Sequence, residues 1–368
     1  MAWQQFRRIS TSVNPLTPDG LTERPPWRAF CEVDQVPSSD DAYWNELREL
    51  AAQAERSQAR GRSFQLPDTE QGQFVVDAVN AAIHLRRPLL VTGAPGSGKT
   101  SLAYAIAYQL KLGPVLAWPV TARSKLSEAL YLYDAVDRLQ DAQLDKLRRD
   151  NSDNNSDDSS DDKPAREERE LGNYIQLGPV GTAFLPSRLP RVLLIDEIDK
   201  SDLNLPNELL NLFEEGEFKL KELSRKKRSP DAQDYTTSVR TADEQVPPQP
   251  ITNGLVQCYE FPIIIMTSNG ERDFPSAFHR RCLRVTMPEP TKESLIPIVR
   301  SHFKGTEQQV DADLDQLIAD FLGNGKAADR ATDQLLNAVY LLTRSDPPSG
   351  SEMERLKELL FRSLNDVG

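Results

Sequence analysis

The octapeptide GAPGSGKT, residues 93–100, has the spacing G-x-x-x-x-G-K-T. Glycines at Gly93, Gly96 and Gly98 allow a tight turn whose N–H groups point inward, an arrangement that suits phosphate oxygens. Ala94, Pro95 and Ser97 complete the loop. A helix starting directly after it adds the positive end of its dipole. Lys99 is then placed to reach terminal phosphates, and Thr100, followed by Ser101, to offer a hydroxyl to Mg²⁺. About a hundred residues on, VLLIDEID carries four apolar residues into Asp196 and Glu197. A buried strand with that ending delivers one carboxylate to a metal and leaves the next free to polarise water. Asp199 and Lys200 read equally well as a surface ion pair or as part of the site. A third apolar run, IIIMTSN, ends in Asn269, which suits a hydrogen bond to the attacking water or to a phosphate. Thr267 and Ser268 are weaker candidates for that task. Downstream, AFHRRCLR sets Arg280 beside Arg281, a pair that in isolation signals solubility alone.

Elements must hold these groups. PLLVTG reads as a short strand entering the loop, and TSLAYAIAYQLKLG as the helix leaving it, with Leu102, Ile106 and Leu110 spaced by four and Gly113 as its end. VLAWPV, RVLLIDEID and FPIIIMTSN read as further strands, and NELLNLFEEGEF as a helix. SKLSEALYLYDAVDRL is expected to be one helix and LGNYIQLGPVGTAFLP a hairpin. Upstream, residues 1–40 are rich in Pro, Ser and Thr and read as an arm that packs through Trp27 and Phe30. AYWNELRELAAQAERSQARGR is expected as one helix burying Trp44, Leu47 and Leu50. TEQGQFVVDAVNAAIHLRRP is expected as another, burying Phe74, Val75, Ala78 and Ile83.

After MPEPT the periodicity is helical throughout, with segments near 292–303, 311–323, 328–344 and 351–364. Strands alternating with helices, followed by helices alone, predict an α/β fold. Its phosphate-loop core has a central parallel sheet flanked by helices, and a C-terminal α-helical lid follows. The expected divisions are an arm and helix over 1–62, the nucleotide-binding core over 63–288 and the lid over 289–368. A disordered acidic insertion at about 150–168 and a polar one at about 222–256 interrupt the core.

Composition excludes several classes. The net charge of −12 disfavours nucleic acid as a partner, since phosphate contacts need a concentrated basic face. From Asp150 to Glu170 there are nine acidic and three basic residues, so half of that charge is local. Six aspartates in this run lack EF-hand spacing and read as a solvated segment. The basic cluster Arg225, Lys226, Lys227 and Arg228 has no interleaved aromatics to stack on bases. No apolar run approaches the roughly 18 residues of a membrane span, and MAWQQFRRIS lacks a signal peptide's apolar stretch, so a cytoplasmic protein is expected. Cys31, Cys258 and Cys282 are far apart, and His84, His279 and His302 are scattered, which argues against a zinc site.

The order of these elements resembles the AAA+ ATPase family. Its MoxR-like branch is the nearest likeness, through RPLLVTGAPGSGKTSLA, LGPVGTAFLPSRLPRVLLIDEIDKSD and FPIIIMTSNGERDFPSAFHRRCL. The resemblance covers about residues 64–345 and implies a ring, expected to be a hexamer, that binds ATP and Mg²⁺ and acts as a remodeller or chaperone. It implies that LGNYIQLGPVGTAFL is the β-hairpin insertion of that branch. It also gives the arginine pair a role: one arginine reaches the γ-phosphate held by the neighbouring subunit, with Arg281 the first choice and Arg280 the second. A lid residue on the phosphates is implied too, and Lys326 or Arg330 is placed to supply it. Neither stands in the Gly-Ser-Pro-Arg context usual in the family. No aromatic-apolar-Gly pore loop follows VLAWPV, which favours local remodelling over threading.

Three functions follow from this reading. The first is an ATP-hydrolysing remodeller acting on a protein partner. The resemblance implies a von Willebrand factor A domain protein or a bacterial defence effector in that place. The second is a nucleotide-dependent switch or sensor in which hydrolysis only resets the state; Glu197 counts against a pure binder. The third, a nucleic-acid motor, is opposed by the acidic charge.

Overall fold

A computed structural model of the chain describes residues 3–9, 14–153, 171–224 and 234–289. Of the C-terminal region it describes 291–292, 295–296, 299–300, 317–322, 332–342 and 351–361. Along the chain, α1 (Asp40–Gln53), α2 (Glu55–Ser63) and α3 (Glu70–Leu85) precede β1 (Leu89–Thr92), α4 (Lys99–Leu110) and β2 (Leu116–Pro119). Then come α5 (Leu126–Leu130), β3 (Tyr131–Tyr133), α6 (Ala135–Asp153), β4 (Ile175–Leu177) and α7 (Pro179–Ala183). β5 (Val192–Asp196) and α8 (Leu205–Glu215) are followed by β6 (Glu217–Lys219), α9 (Lys221–Ser224), β7 (Thr236–Val239), β8 (Gln249–Thr252) and β9 (Leu255–Gln257). β10 (Ile263–Ser268), α10 (Ser276–Arg281) and β11 (Leu283–Thr286) close the α/β part.

Five strands form a parallel sheet in the order β11-β1-β10-β5-β2. Successive residues of each strand face opposite sides, so both faces must be apolar for the sheet to be covered twice. Leu89, Val91, Val192, Leu194, Ile263 and Ile265 enter one core with Trp44, Leu47, Val79, Leu102, Ile106 and Leu110. Leu90, Leu193, Ile195, Ile264 and Met266 enter the other with Leu209, Phe213 and Phe278. The unbroken apolar runs in the sequence are this two-sided covering, as expected. β11 is a strand that the short segment LRVT did not announce.

Other expectations are corrected. The first long helix breaks at Ala54, where ψ is 71°, into α1 and α2. Phe74 is 61% exposed, because α3 turns Val75, Val76, Val79 and Ile83 inward instead. Trp27 is 74% exposed and does not anchor the arm, whereas Phe30 packs against the second core. The arm buries Phe6, Leu16 and Leu21 in the first core and is also held by polar side chains of the helices beneath it. Asn80, fully buried, accepts from the N–H groups of Gln5 and Phe6 at 2.8 and 2.9 Å and donates to the Phe6 carbonyl at 2.9 Å. Gln109 of α4 does the same for both backbone groups of Arg7.

The segment 124–139 is not one helix, since β3 interrupts it and pairs antiparallel with β4. Residues 171–185 accordingly form no hairpin of their own; β4 finds its partner upstream. Gly181 allows the fit: a Cβ there would lie 1.9 Å from the Leu130 carbonyl oxygen. α6 extends to Asp153, so the first residues of the acidic run are helical. The rest of that run and the basic cluster 225–228 lie outside the described residues.

Among its described residues the polar stretch 222–256 contains β7, β8 and the start of β9, with β7 paired to β8 and β6 to β9. It is fastened by Asp243, whose carboxylate takes two bonds from Arg191, at 2.6 and 3.1 Å. Arg191 also donates to Tyr43 Oη at 3.0 Å and to the Pro114 carbonyl at 3.1 Å. In the C-terminal region, helices Thr332–Leu342 and Ser351–Leu360 contribute to a third core with Leu295, Ile318, Phe321 and Leu335. Among the described residues no helix is long and apolar enough to cross a membrane.

The Arg191–Asp243 pair yields a stability prediction. Removing one partner leaves a buried, uncompensated charge, so Asp243→Ala should cost about 3–5 kcal/mol. Thermal melting of the variant beside wild type checks this, and an unchanged Tm would show that the fastening carries no weight.

Candidate functional site

The C-terminal ends of the parallel strands converge, the place where open α/β sheets bind ligands. Register sets Thr92 of β1 beside Ser268 of β10, and Asp196 ends β5 on the other side of β10. From β1 the chain enters the loop with φ of 142° at Gly93, 75° at Gly96 and 88° at Gly98. At Gly98 a side chain would be strained, and its Cβ would stand 3.5 Å from the Phe64 ring and 3.8 Å from Met287 Cε. Phe64 and Met287 thus flank the loop, a pairing the sequence did not reveal. α4 begins at Lys99, so its first, unpaired N–H groups open onto the loop.

Lys99 Nζ donates to the carbonyls of Gly93 and Ala94 at 2.7 and 2.8 Å and so clips the loop in its turn. Burial lowers its pKa, and the carboxylates of Asp199, Asp196 and Glu197 oppose that shift. Thr100 Oγ1 donates to Asp196 Oδ1 at 3.0 Å. The same oxygen accepts from Thr267 Oγ1 at 2.6 Å, and Thr267 Oγ1 accepts from the Glu197 N–H at 2.8 Å. Thr100 and Asp196 are therefore adjacent hard oxygen donors, the chemistry Mg²⁺ prefers. Glu197 adopts φ 59° and ψ 47°. That left-handed conformation costs an L-residue about 1–2 kcal/mol. Its carboxylate, 44% exposed, accepts from Lys200 Nζ at 2.7 Å, and this bond raises the Lys200 pKa.

Asp199 and Lys200 therefore do not pair with each other. Asp199 is buried, and its Oδ2 accepts from Ser268 Oγ at 3.0 Å, from the Asn269 N–H at 2.8 Å and from the Glu271 N–H at 3.2 Å. It fixes the turn that carries Asn269. The only sequence signal was an acid three residues beyond Asp196. Ser101 faces α2, accepting from Arg60 Nε at 3.0 Å, while Ser97 Oγ is buried beside the loop.

Arg281 at the end of α10 forms an ion pair with Glu214 of α8 and donates to the Ala277 carbonyl at 3.3 Å. The hydrogen bond to Glu214 raises the Arg281 pKa and lowers that of Glu214. Arg280 is exposed, and its carbonyl accepts from Arg87. Among the described residues neither arginine bonds to the loop 93–100. Lys326 and Arg330 lie outside the described residues. An open cleft of about 1310 Å³ adjoins the site, lined among others by Thr69, Phe74, Thr92, Ser268, Arg284 and Met287.

Comparison with known proteins bears on this arrangement. No curated protein matches the chain. Among solved structures it is similar to NtrX from Brucella abortus in complex with ATP, with a TM-score of 0.41 and 15% identity over 83% of this chain and 59% of that one. The ADP complex of NtrX gives a TM-score of 0.39 and 14% identity over 82% and 58%. PCH-2 of C. elegans gives 0.39 and 13% over 83% and 71%. The chain thus spans about three-fifths of NtrX. A family model for the AAA domain of the dynein-related subfamily matches residues 88–282, more than half of the chain and every element from β1 to the two arginines. The loop clipped by Lys99, the Asp196–Glu197 strand end and the turn at Asn269 all lie inside that match, and the chain belongs to the dynein-related subfamily of AAA-domain proteins.

Proposed function

We propose that the protein is an ATP-hydrolysing AAA+ machine that works as a ring, expected to be hexameric, and remodels a protein partner. The observation that carries this is the convergence on Asp196 Oδ1, where the hydroxyls of Thr100 and Thr267 meet beside Glu197. A nucleotide's phosphates fit the N–H groups of residues 93–98 and the start of α4, with Lys99 turning from the loop carbonyls to the terminal phosphates. Thr100 and Asp196 would hold Mg²⁺, which supplies charge neutralisation of the phosphates. Glu197, released from Lys200, orients and deprotonates water, and Asn269 on its braced turn assists. Arg281, released from Glu214, offers its guanidinium to a nucleotide on the next subunit; Arg280 is the second candidate. The motif order of the MoxR-like branch supports a von Willebrand factor A domain protein or a defence effector as the partner.

Three variants test the site. Lys99→Ala should weaken ATP binding about 100-fold, as expected for losing charge-assisted bonds; tight binding by this variant would remove the loop from the account. Glu197→Gln should bind ATP normally while its turnover falls about 10²- to 10⁴-fold. Wild type that binds ATP tightly without turning it over would instead support the switch. Turnover per subunit should climb with protein concentration, and Arg281→Ala should hold it about 10³-fold lower at every concentration. A wild-type rate independent of concentration, with no loss in the variant, would contradict a shared site.

A further inference from the structure

β10 runs through four apolar residues and then places a hydroxyl, Thr267, at 1% exposure. Both sides of that hydroxyl are used. It donates to Asp196 Oδ1 at 2.6 Å and accepts from the Glu197 N–H at 2.8 Å. Glu197 is one of four non-glycine residues with positive φ among the described residues, and the only one of them in the site. Such a conformation persists where its surroundings over-determine it. The Thr267 hydroxyl accepts from its N–H, the Lys200 N–H donates to its carbonyl at 2.9 Å, and the Val120 N–H donates to the preceding Asp196 carbonyl at 2.9 Å. The second is local to the turn. The first crosses from the neighbouring strand, and it also ties Glu197 to the carboxylate that Thr100 contacts.

We propose that Thr267 is a positioning residue for hydrolysis. It keeps the Glu197 peptide left-handed and so aims the carboxylate, and it couples that aim to Asp196 through a single hydroxyl. Thr267 acts through Glu197 and not on the nucleotide, so its loss should leave binding intact. The proposal rests on the hydrolytic reading above.

The test compares ATP turnover and equilibrium ATP binding for wild type, Thr267→Val, Thr267→Ser and Glu197→Gln. Valine keeps the shape and removes the hydroxyl, and serine restores the hydroxyl without the methyl. Thr267→Val should lower kcat about 10-fold or more with KM and ATP affinity within about twofold, because one hydrogen bond to a strained peptide is lost. Thr267→Ser should return kcat to within about threefold of wild type. If the valine variant does not fold, Thr267→Ala removes the same hydroxyl without added bulk. Wild-type kcat in the hydroxyl-free variant, beside an inactive Glu197→Gln, overturns this inference and leaves the hydrolytic reading standing. A joint change in KM and kcat that serine does not rescue also overturns it, as a structural effect. Absence of turnover in wild type overturns both.

Discussion

A single carboxylate oxygen joins the parts of this molecule that act together. Asp196 Oδ1 accepts from α4 through Thr100 and from β10 through Thr267. It stands at the end of a strand inside the sheet, between β10 and β2. A charged oxygen there is tolerable because two hydroxyls serve it and the strand end opens toward the loop. The helix that receives phosphates and the strand that carries Asn269 are thereby referred to one point. The two apolar faces of the sheet exist to hold that point still, since parallel strands without both coverings would not stay in register.

A second consequence is that the two groups needed for hydrolysis are occupied within the chain. Glu197 is bonded to Lys200, and Arg281 to Glu214. Both pairs are surface-exposed, the kind that contributes little to stability and opens at small cost. The arrangement suits a site completed by nucleotide and by a neighbouring subunit. The N-terminal arm plays a different part. Its polar fastening by Asn80 and Gln109 braces the backs of α3 and α4, and α4 is the helix that begins at Lys99.

The nucleotide loop was legible because its demands are local: glycine where φ is positive, lysine and threonine at fixed offsets. The central strands were legible because double burial leaves unbroken apolar runs. What escaped was set by partners distant in sequence. β7 buries only Thr237 and Val239, so its pairing with β8 leaves no apolar run to read. Trp27 looked like an anchor because aromatics usually bury, whereas the arm buries Phe6, Leu16 and Leu21 and is bonded by an asparagine and a glutamine inside helices. Asp199 stayed open between a surface ion pair and a place in the site because its three donors come from a turn some seventy residues away. Thr267 read only as a weaker candidate for Asn269's task because only the fold brings Asp196 and the Glu197 amide to it.

The role of Asp196 is the claim on which the rest stands, and the dependence of ATP affinity on Mg²⁺ tests it most directly. Equilibrium binding of ATP would be measured with and without Mg²⁺ for wild type and Asp196→Asn. Mg²⁺ should tighten binding to wild type and leave the variant's affinity nearly unchanged, because a neutral amide is a poor ligand for a hard cation. Equal tightening in both proteins would contradict it and move the metal, and with it the catalytic geometry, away from Asp196.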